Sequence, residues 1–274
     1  MFAVLLLCSM TLSGVPEAPV AAWEFNSPEE ARPWRANSHM EHVSVENGVL
    51  SCDTIDWDPF FTYSEAELAT SPTQFVVLRI RASKAGEGQL YWTSKTEGQY
   101  GGFDPSKVTN FTVEKPNVWQ EIILLPFWHT EGTLRQLRLD LYEGAHFEVD
   151  WLRVYDRAEG AAPASGTYRW EFDDGGDSWR LRSGSRTLVS PPLHLDISEK
   201  GWISLAVKAN VATTASLFWA NSTGPGSHVL SFEVPASDTF QTCDIELQGE
   251  SAWRDVIVAL GIEAAVESGF AVQS

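Results

Sequence analysis

Trp23-Glu24-Phe25 returns as Trp170-Glu171-Phe172, and four further pairs follow in the same order: Trp34 with Trp179, Tyr91-Trp92 with Phe218-Trp219, Phe111-Thr112-Val113 with Phe232-Glu233-Val234, and Phe147 with Phe270. One matched tripeptide carries little weight. Five ordered matches indicate a duplicated unit, and a duplicated unit closes a core of its own. Residues 23–157 and 168–274 are therefore read as two related domains, joined by residues 158–167, whose Gly160-Ala161-Ala162-Pro163-Ala164-Ser165-Gly166 has the make-up of a short linker. With 274 residues in the chain, each copy is long enough to bury a core without staples.

The separation between matched positions shrinks along the chain. The stretch from Trp34 to Pro59 is longer than the one from Trp179 to Pro191, so the second copy lacks about a hairpin, the part that carries Val43, Val45, Val49 and Leu50 in the first. At the other end, Phe147 to Tyr155 reads as a full strand, whereas Phe270 to Ser274 stops part-way. Two readings stay open: the second domain is a truncated copy of something longer, or it is degenerate.

Both copies are built from short alternating segments such as Phe75-Val76-Val77-Leu78-Arg79-Ile80-Arg81 and Trp202-Ile203-Ser204-Leu205-Ala206-Val207-Lys208, separated by Gly, Pro, Asn and Ser. Period two and the 12 Trp, 14 Phe and 6 Tyr predict strands. No stretch carries a helical stripe, and residues 64–69 make at most one turn. The fold class expected is all-β, two tandem β-sandwich domains, the second shorter.

The net charge of −18 is shared between the halves and repels phosphate backbones and anionic lipid. Nucleic acid and membrane surfaces are thereby poor partners, and neutral sugars or cations remain. Phe2 to Met10 is apolar but too short to span a bilayer, and Val20-Ala21-Ala22 supplies small residues, which together read as a secretory signal over residues 1–22 cleaved before Trp23. The alternative for this segment is a buried first strand. The signal reading implies a secreted or cell-surface protein with no membrane insertion after cleavage. Cys8 leaves with the signal, and Cys52 with Cys243 read as small hydrophobes rather than a bridge.

The opening Trp-Glu-Phe, Asp58-Pro59, Gln89-Leu90-Tyr91-Trp92, Gln136-Leu137-Arg138-Leu139-Asp140 and the closing Val149-Asp150-Trp151-Leu152-Arg153-Val154 together resemble the galactose-binding-like jelly rolls appended to secreted bacterial polysaccharide-degrading enzymes and sulfatases. The resemblance covers residues 23–157 and, more weakly, 168–274, where Gly261 is matched to Asp140 and Gln273 to Asp150. It implies two-sheet sandwiches, a structural calcium near the chain ends, and poly- or oligosaccharide binding on a concave face or at loop tips. It also implies a catalytic domain elsewhere in a longer parent protein.

Catalytic motifs are missing: there is no Gly-x-Ser-x-Gly, His-Glu-x-x-His, phosphate loop or dinucleotide fingerprint. The carboxylate pairs Asp56/Asp58 and Glu148/Asp150 sit two apart on extended segments, which suits a cation or a solvated strand better than an acid facing a nucleophile across a sugar. His39 and His42 have no third ligand in view. For the implied calcium, Glu24 on the first strand, Asp150 on the last and Asn26 are the candidate ligands. Asp173-Asp174-Gly175-Gly176-Asp177 is too short for a calcium loop and reads as a turn.

Sugars need exposed flat rings beside amides or carboxyls. Trp23, Phe25, Phe75, Phe111 and Trp119 recur in both copies and are read as core. Rings peculiar to the first copy, Trp57, Phe60, Phe61, Tyr100 and Trp128, are the candidate platforms, joined by Trp92 at a strand end and by Asp140 of the resembling motif. Asn110-Phe111-Thr112 and Asn221-Ser222-Thr223 fit glycosylation sequons. A secreted, non-catalytic carbohydrate-binding protein is the leading expectation, and a structural or adhesive tandem without sugar binding is the alternative.

Overall fold

Alternation decides which side chains meet. In Gln74–Ala82, Val76, Leu78 and Ile80 turn one way into the interior while Arg79 and Arg81 turn the other, as the period-two pattern requires. The computed structural model describes residues 18–71, 74–156, 180–181, 188–190, 193, 195–197, 201–264 and 268–273. The expected signal core, the linker, Trp170-Glu171-Phe172, Trp179 and the Asp173–Asp177 turn lie outside these residues.

In the first half the strands are β1 (Ala21–Trp23), β2 (Trp34–Ala36), β3 (Met40–Glu46), β4 (Val49–Thr54), β5 (Phe60–Tyr63), β6 (Leu68–Ala69) and β7 (Gln74–Ala82). They continue with β8 (Gly86–Thr93), β9 (Val108–Val113), β10 (Gln120–Leu124), β11 (Thr133–Leu134), β12 (Gln136–Asp140) and β13 (His146–Asp156). One sheet runs β10-β7-β13-β4-β3 with β1 beside β13, and the other runs β2-β5-β12-β8-β9. Their inner faces share one core in which Leu78, Ile80, Phe147 and Leu152 meet Phe61, Leu90, Trp92, Leu137 and Leu139, an antiparallel sandwich.

The second half comprises β14 (Arg180–Leu181), β15 (Leu188–Val189), β16 (Leu195–Asp196), β17 (Trp202–Ala209), β18 (Thr213–Asn221), β19 (His228–Val234), β20 (Ser237–Glu246), β21 (Val256–Ala264) and β22 (Ala271–Gln273). The order β14-β15-β21-β18-β19 repeats β2-β5-β12-β8-β9, and β20-β17-β22 repeats β10-β7-β13. The β3-β4 hairpin, which carries Val43, Val45, Val49 and Leu50, has no counterpart among the described residues. Leu217, Trp219, Ile245, Leu260 and Ile262 form the second core. The protein is all-β, in two sandwiches.

Several local readings need correction. A short helix, α1 (Pro28–Ala31), is capped by Ser27 Oγ accepting from the Glu30 N–H at 3.3 Å and starts with proline at its first position. Trp119 is not core: it lies under Arg81 (4.9 Å) and Arg79 (5.4 Å) on the outer face of β7, and Trp23 is only partly buried at the edge of the core. Ala21 and Ala22, expected just before a cleavage point, pair with Val154 and Arg153 of β13.

Candidate functional site

The outward face of the sheet β2-β5-β12-β8-β9 is a polar surface built by side chains in register. Phe60, Asp140, Gln89 and Asn110 form one row across four strands. Thr62, Arg138, Tyr91 and Val108 form the next. Arg138 organises both rows. Its Nε and Nη2 donate to the two Asp140 oxygens at 2.7 Å each, and Nη2 also donates to Asp58 Oδ1 at 2.5 Å. The guanidinium lies 3.7 Å from the Phe60 ring centroid and 5.5 Å from that of Tyr91, so cation–π contacts hold the fork as well as the carboxylates do.

The row continues by hydrogen bonds. Tyr91 Oη donates to Gln89 Oε1, and Gln89 Nε2 to Asn110 Oδ1, each at 2.9 Å. At the far end Asn37 pins the loop before β5: its Nδ2 donates to the Asp58 carbonyl at 2.7 Å and its Oδ1 accepts from the Phe60 N–H at 3.3 Å. Asp58 has φ of 58°, a left-handed conformation that aspartate tolerates better than most residues. The loop thereby presents Trp57, 67% exposed, at the rim. Trp57, Asp58, Glu87, Gln89, Asn110 and Asp140 are among the residues lining a cleft of about 520 Å³.

Asp140 is only 7% exposed. Burial pushes its carboxyl up to about 6, against the pull of the Arg138 bond and charge, and Asp58 nearby adds to the rise. Burial likewise raises the Tyr91 phenol, helped by Asp140.

The structure sorts the expected ligand residues into three groups. Trp57, Phe60 and Asp140 come together on this face. Tyr100 is 68% exposed but belongs to the 99–102 turn, which Gln136 Nε2 ties to the opposite end of β12 through the Gly101 carbonyl at 2.7 Å. Trp92 and Trp128 are 0% exposed, pack edge to face at 6.0 Å, and cannot stack on a sugar. Trp92 shares its side of β8 with Leu90, which faces the core, while Trp128 Nε1 donates to buried Gln74 Oε1 at 2.6 Å. Phe60 is a support rather than a platform, since Arg138 covers its ring. Arg138, Gln89, Tyr91, Asn110 and Asp58 complete this face without having been singled out from the sequence as site residues, although Gln89 and Tyr91 follow from parity once Leu90 is placed inside.

The expected calcium ligands do not make a cage. β1 does lie beside β13, but Glu24 takes both Arg153 donors at 2.7 Å. Asp150, at the bulge in β13, sits 2.7 Å from Arg79 Nε. Arginine charge stands where a cation would. The Asn26 N–H donates to Glu30, and among the described residues no group of three His, Cys, Asp or Glu is arranged to hold a metal.

Asp53 joins two imidazoles, His42 and His146, each through Nδ1 at 2.8 Å, and these bonds hold its carboxyl below the usual range. Ser51 Oγ lies 3.4 Å from His146 Nε2, a Ser-His-Asp order. The cluster lies on the open face of β3, β4 and β13, where the backbone of Ser51 is committed to both neighbouring ladders. Of the two sequons, Asn110 is exposed, whereas Asn221 is buried with its Nδ2 on the Ala252 carbonyl.

In the second half the equivalent face is altered. Arg138 pairs with Tyr91 as Gly261 pairs with Phe218, and Asp140 pairs with Gln89 as Glu263 pairs with Ser216. By register Gly261 therefore stands for Arg138, and Glu263, not Gly261, stands for Asp140. A Cβ at Gly261 would lie 1.8 Å from Phe218 Cζ, so glycine lets that ring lie across the strand.

No protein-family model and no curated protein matches the chain. Among solved structures it is similar to the N-terminal CBM22-1-CBM22-2 tandem domain from Paenibacillus barcinonensis Xyn10C, at 11% identity over 96% of this chain and 98% of that one, with a TM-score of 0.34. It is also similar to the Spr0440 glycoside hydrolase domain, Endo-D from Streptococcus pneumoniae R6, at 12% identity over 88% of this chain and 36% of that one, with a TM-score of 0.31. Likenesses of this extent leave the function to be read from the face itself. No helix among the described residues is long and apolar enough to cross a membrane.

Proposed function

We propose that this is a secreted, non-catalytic carbohydrate-binding protein or accessory module, and that the outward face of β2-β5-β12-β8-β9 holds the glycan. The observation that supports this most is the row Asp140, Gln89, Asn110, in which Arg138 clamps Asp140 and Gln89 donates to Asn110, beside the exposed indole of Trp57. Fixed amides and a clamped carboxylate offer donors and acceptors to sugar hydroxyls, and the indole offers a flat apolar surface to the C–H face of a pyranose. Pre-organisation by Arg138 lowers the ordering cost of binding.

The adhesive alternative draws on the burial of Trp92 and Trp128, which removes two expected platforms. A glycan array with the intact protein and the Trp57→Ala and Arg138→Ala variants tests the two readings. Binding to a defined glycan that both substitutions weaken supports the sugar face. Absence of any glycan binding by the intact protein, with retained fold, favours the adhesive reading.

A further inference from the structure

The outward faces of the two halves meet at a second cleft of about 260 Å³. The edge strand β9 forms one wall with Val108 and Asn110, and the other wall carries Ser216, Phe218, Val229 and Glu263. Asn110 also lines the cleft beside Trp57, so one residue borders both. We infer that the second cleft takes the continuation of the same glycan, making a composite site for a linear, neutral oligosaccharide several units long; this rests on the sugar-binding reading of the first face.

The second wall keeps part of the chemistry of the first at matching register. Phe218 stands for Tyr91, Ser216 for Gln89 and Glu263 for Asp140, so a ring and a carboxylate again share one face, with a hydroxyl in place of the amide and no arginine between them. The row from Phe60 to Asn110 crosses three strand spacings, about 14 Å, before the second cleft begins. That span exceeds one pyranose, so a short ligand fills the first face alone. Glu263 and the net charge of −18 disfavour acidic sugars.

The two walls are held in place by an apolar plug. Phe127, with φ of 49°, buries its ring against Ala220, Val258 and Ala259 of the second half. The Gly226 N–H donates to the Phe127 carbonyl at 3.2 Å, and His129 Nε2 lies 2.8 Å from the Asn221 carbonyl. A carbonyl there requires the Nε2–H tautomer, which donates. The plug and these two contacts close the junction beside the cleft, and Phe127 also lines the cleft.

Calorimetric titration with β-1,4-linked glucose, xylose and mannose oligomers of two to eight units tests the inference, using the intact protein, Ser216→Trp and Glu263→Gln, with Arg138→Ala as the control for the first face. Affinity is expected to rise with length in the intact protein. Ser216→Trp, which fills the second cleft, is expected to lose about tenfold or more for the longest oligomer that binds while matching the intact protein for the shortest. Glu263→Gln gives a smaller loss of the same kind and needs no new volume. Unchanged length dependence in both variants, with binding abolished by Arg138→Ala, overturns the composite site and leaves the first face standing. Binding that Arg138→Ala leaves untouched at every length overturns the reading of the first face itself.

Discussion

Arg138 and Asp140 set the character of the proposed sugar face, because each holds the other in place. The Asp140 carboxyl titrates near 6, above its unfolded value of 3.8, so between those values the folded chain binds more protons than the unfolded one. This group alone therefore makes the fold less stable as pH rises through that window. Binding has the opposite sense: below about pH 6 the carboxyl is neutral, the Arg138 fork loses one arm, and affinity for a neutral oligosaccharide is expected to fall. Titrations between about pH 5 and 7.5 check this, and Asp140→Asn is expected to give a flat profile. Tryptophans divide by burial. Trp92→Ala is expected to destabilise the fold by about 3–5 kcal/mol in denaturant melts, whereas Trp57→Ala leaves stability within about 0.5 kcal/mol and weakens glycan binding. Glu24 and Asp150 are committed to arginines, so calcium or a chelator is expected to leave the melting temperature unchanged, as a thermal scan with each would report.

Strands explain which side chains were legible. Val76, Leu78 and Ile80 announce an inward face, and the alternation of Gln89-Leu90-Tyr91-Trp92 fixes Tyr91 opposite in sense to Trp92. What alternation does not carry is register. The Asp58–Arg138 contact joins the loop before β5 to β12, far apart in sequence, and the pairing of Gly261 with Phe218 rather than with Ser216 is set by the ladder. Sequence matching placed Gly261 two residues out, on the correct face but in the wrong row. Loop rings were illegible for another reason: Trp57 lies between two aspartates and Trp128 between Phe127 and His129, yet Gln74, brought in from another strand, draws Trp128 inside. At this scale β1 gives a direct test. A chain starting at Trp23 loses the pairing of Ala21 and Ala22 with β13 and is expected to melt a few degrees below one starting at Ala18.

For the whole molecule, the repeated strand order gives two sandwiches from one pattern, and Phe127 joins them by packing on small residues of the second. Duplication was visible in the sequence, but the junction was not, since Ala220, Ala259 and Phe127 become neighbours only when two separate units are set against each other. One surface of the first sandwich is the proposed sugar face. The most direct measurement is the indole N–H region of a proton–nitrogen NMR spectrum during titration with an oligosaccharide found to bind. The Trp57 signal is expected to shift, together with the side-chain amides of Gln89 and Asn110, while Trp92 and Trp128 stay fixed. A titration in which ligand binds and the Trp57, Gln89 and Asn110 signals do not move would contradict that assignment.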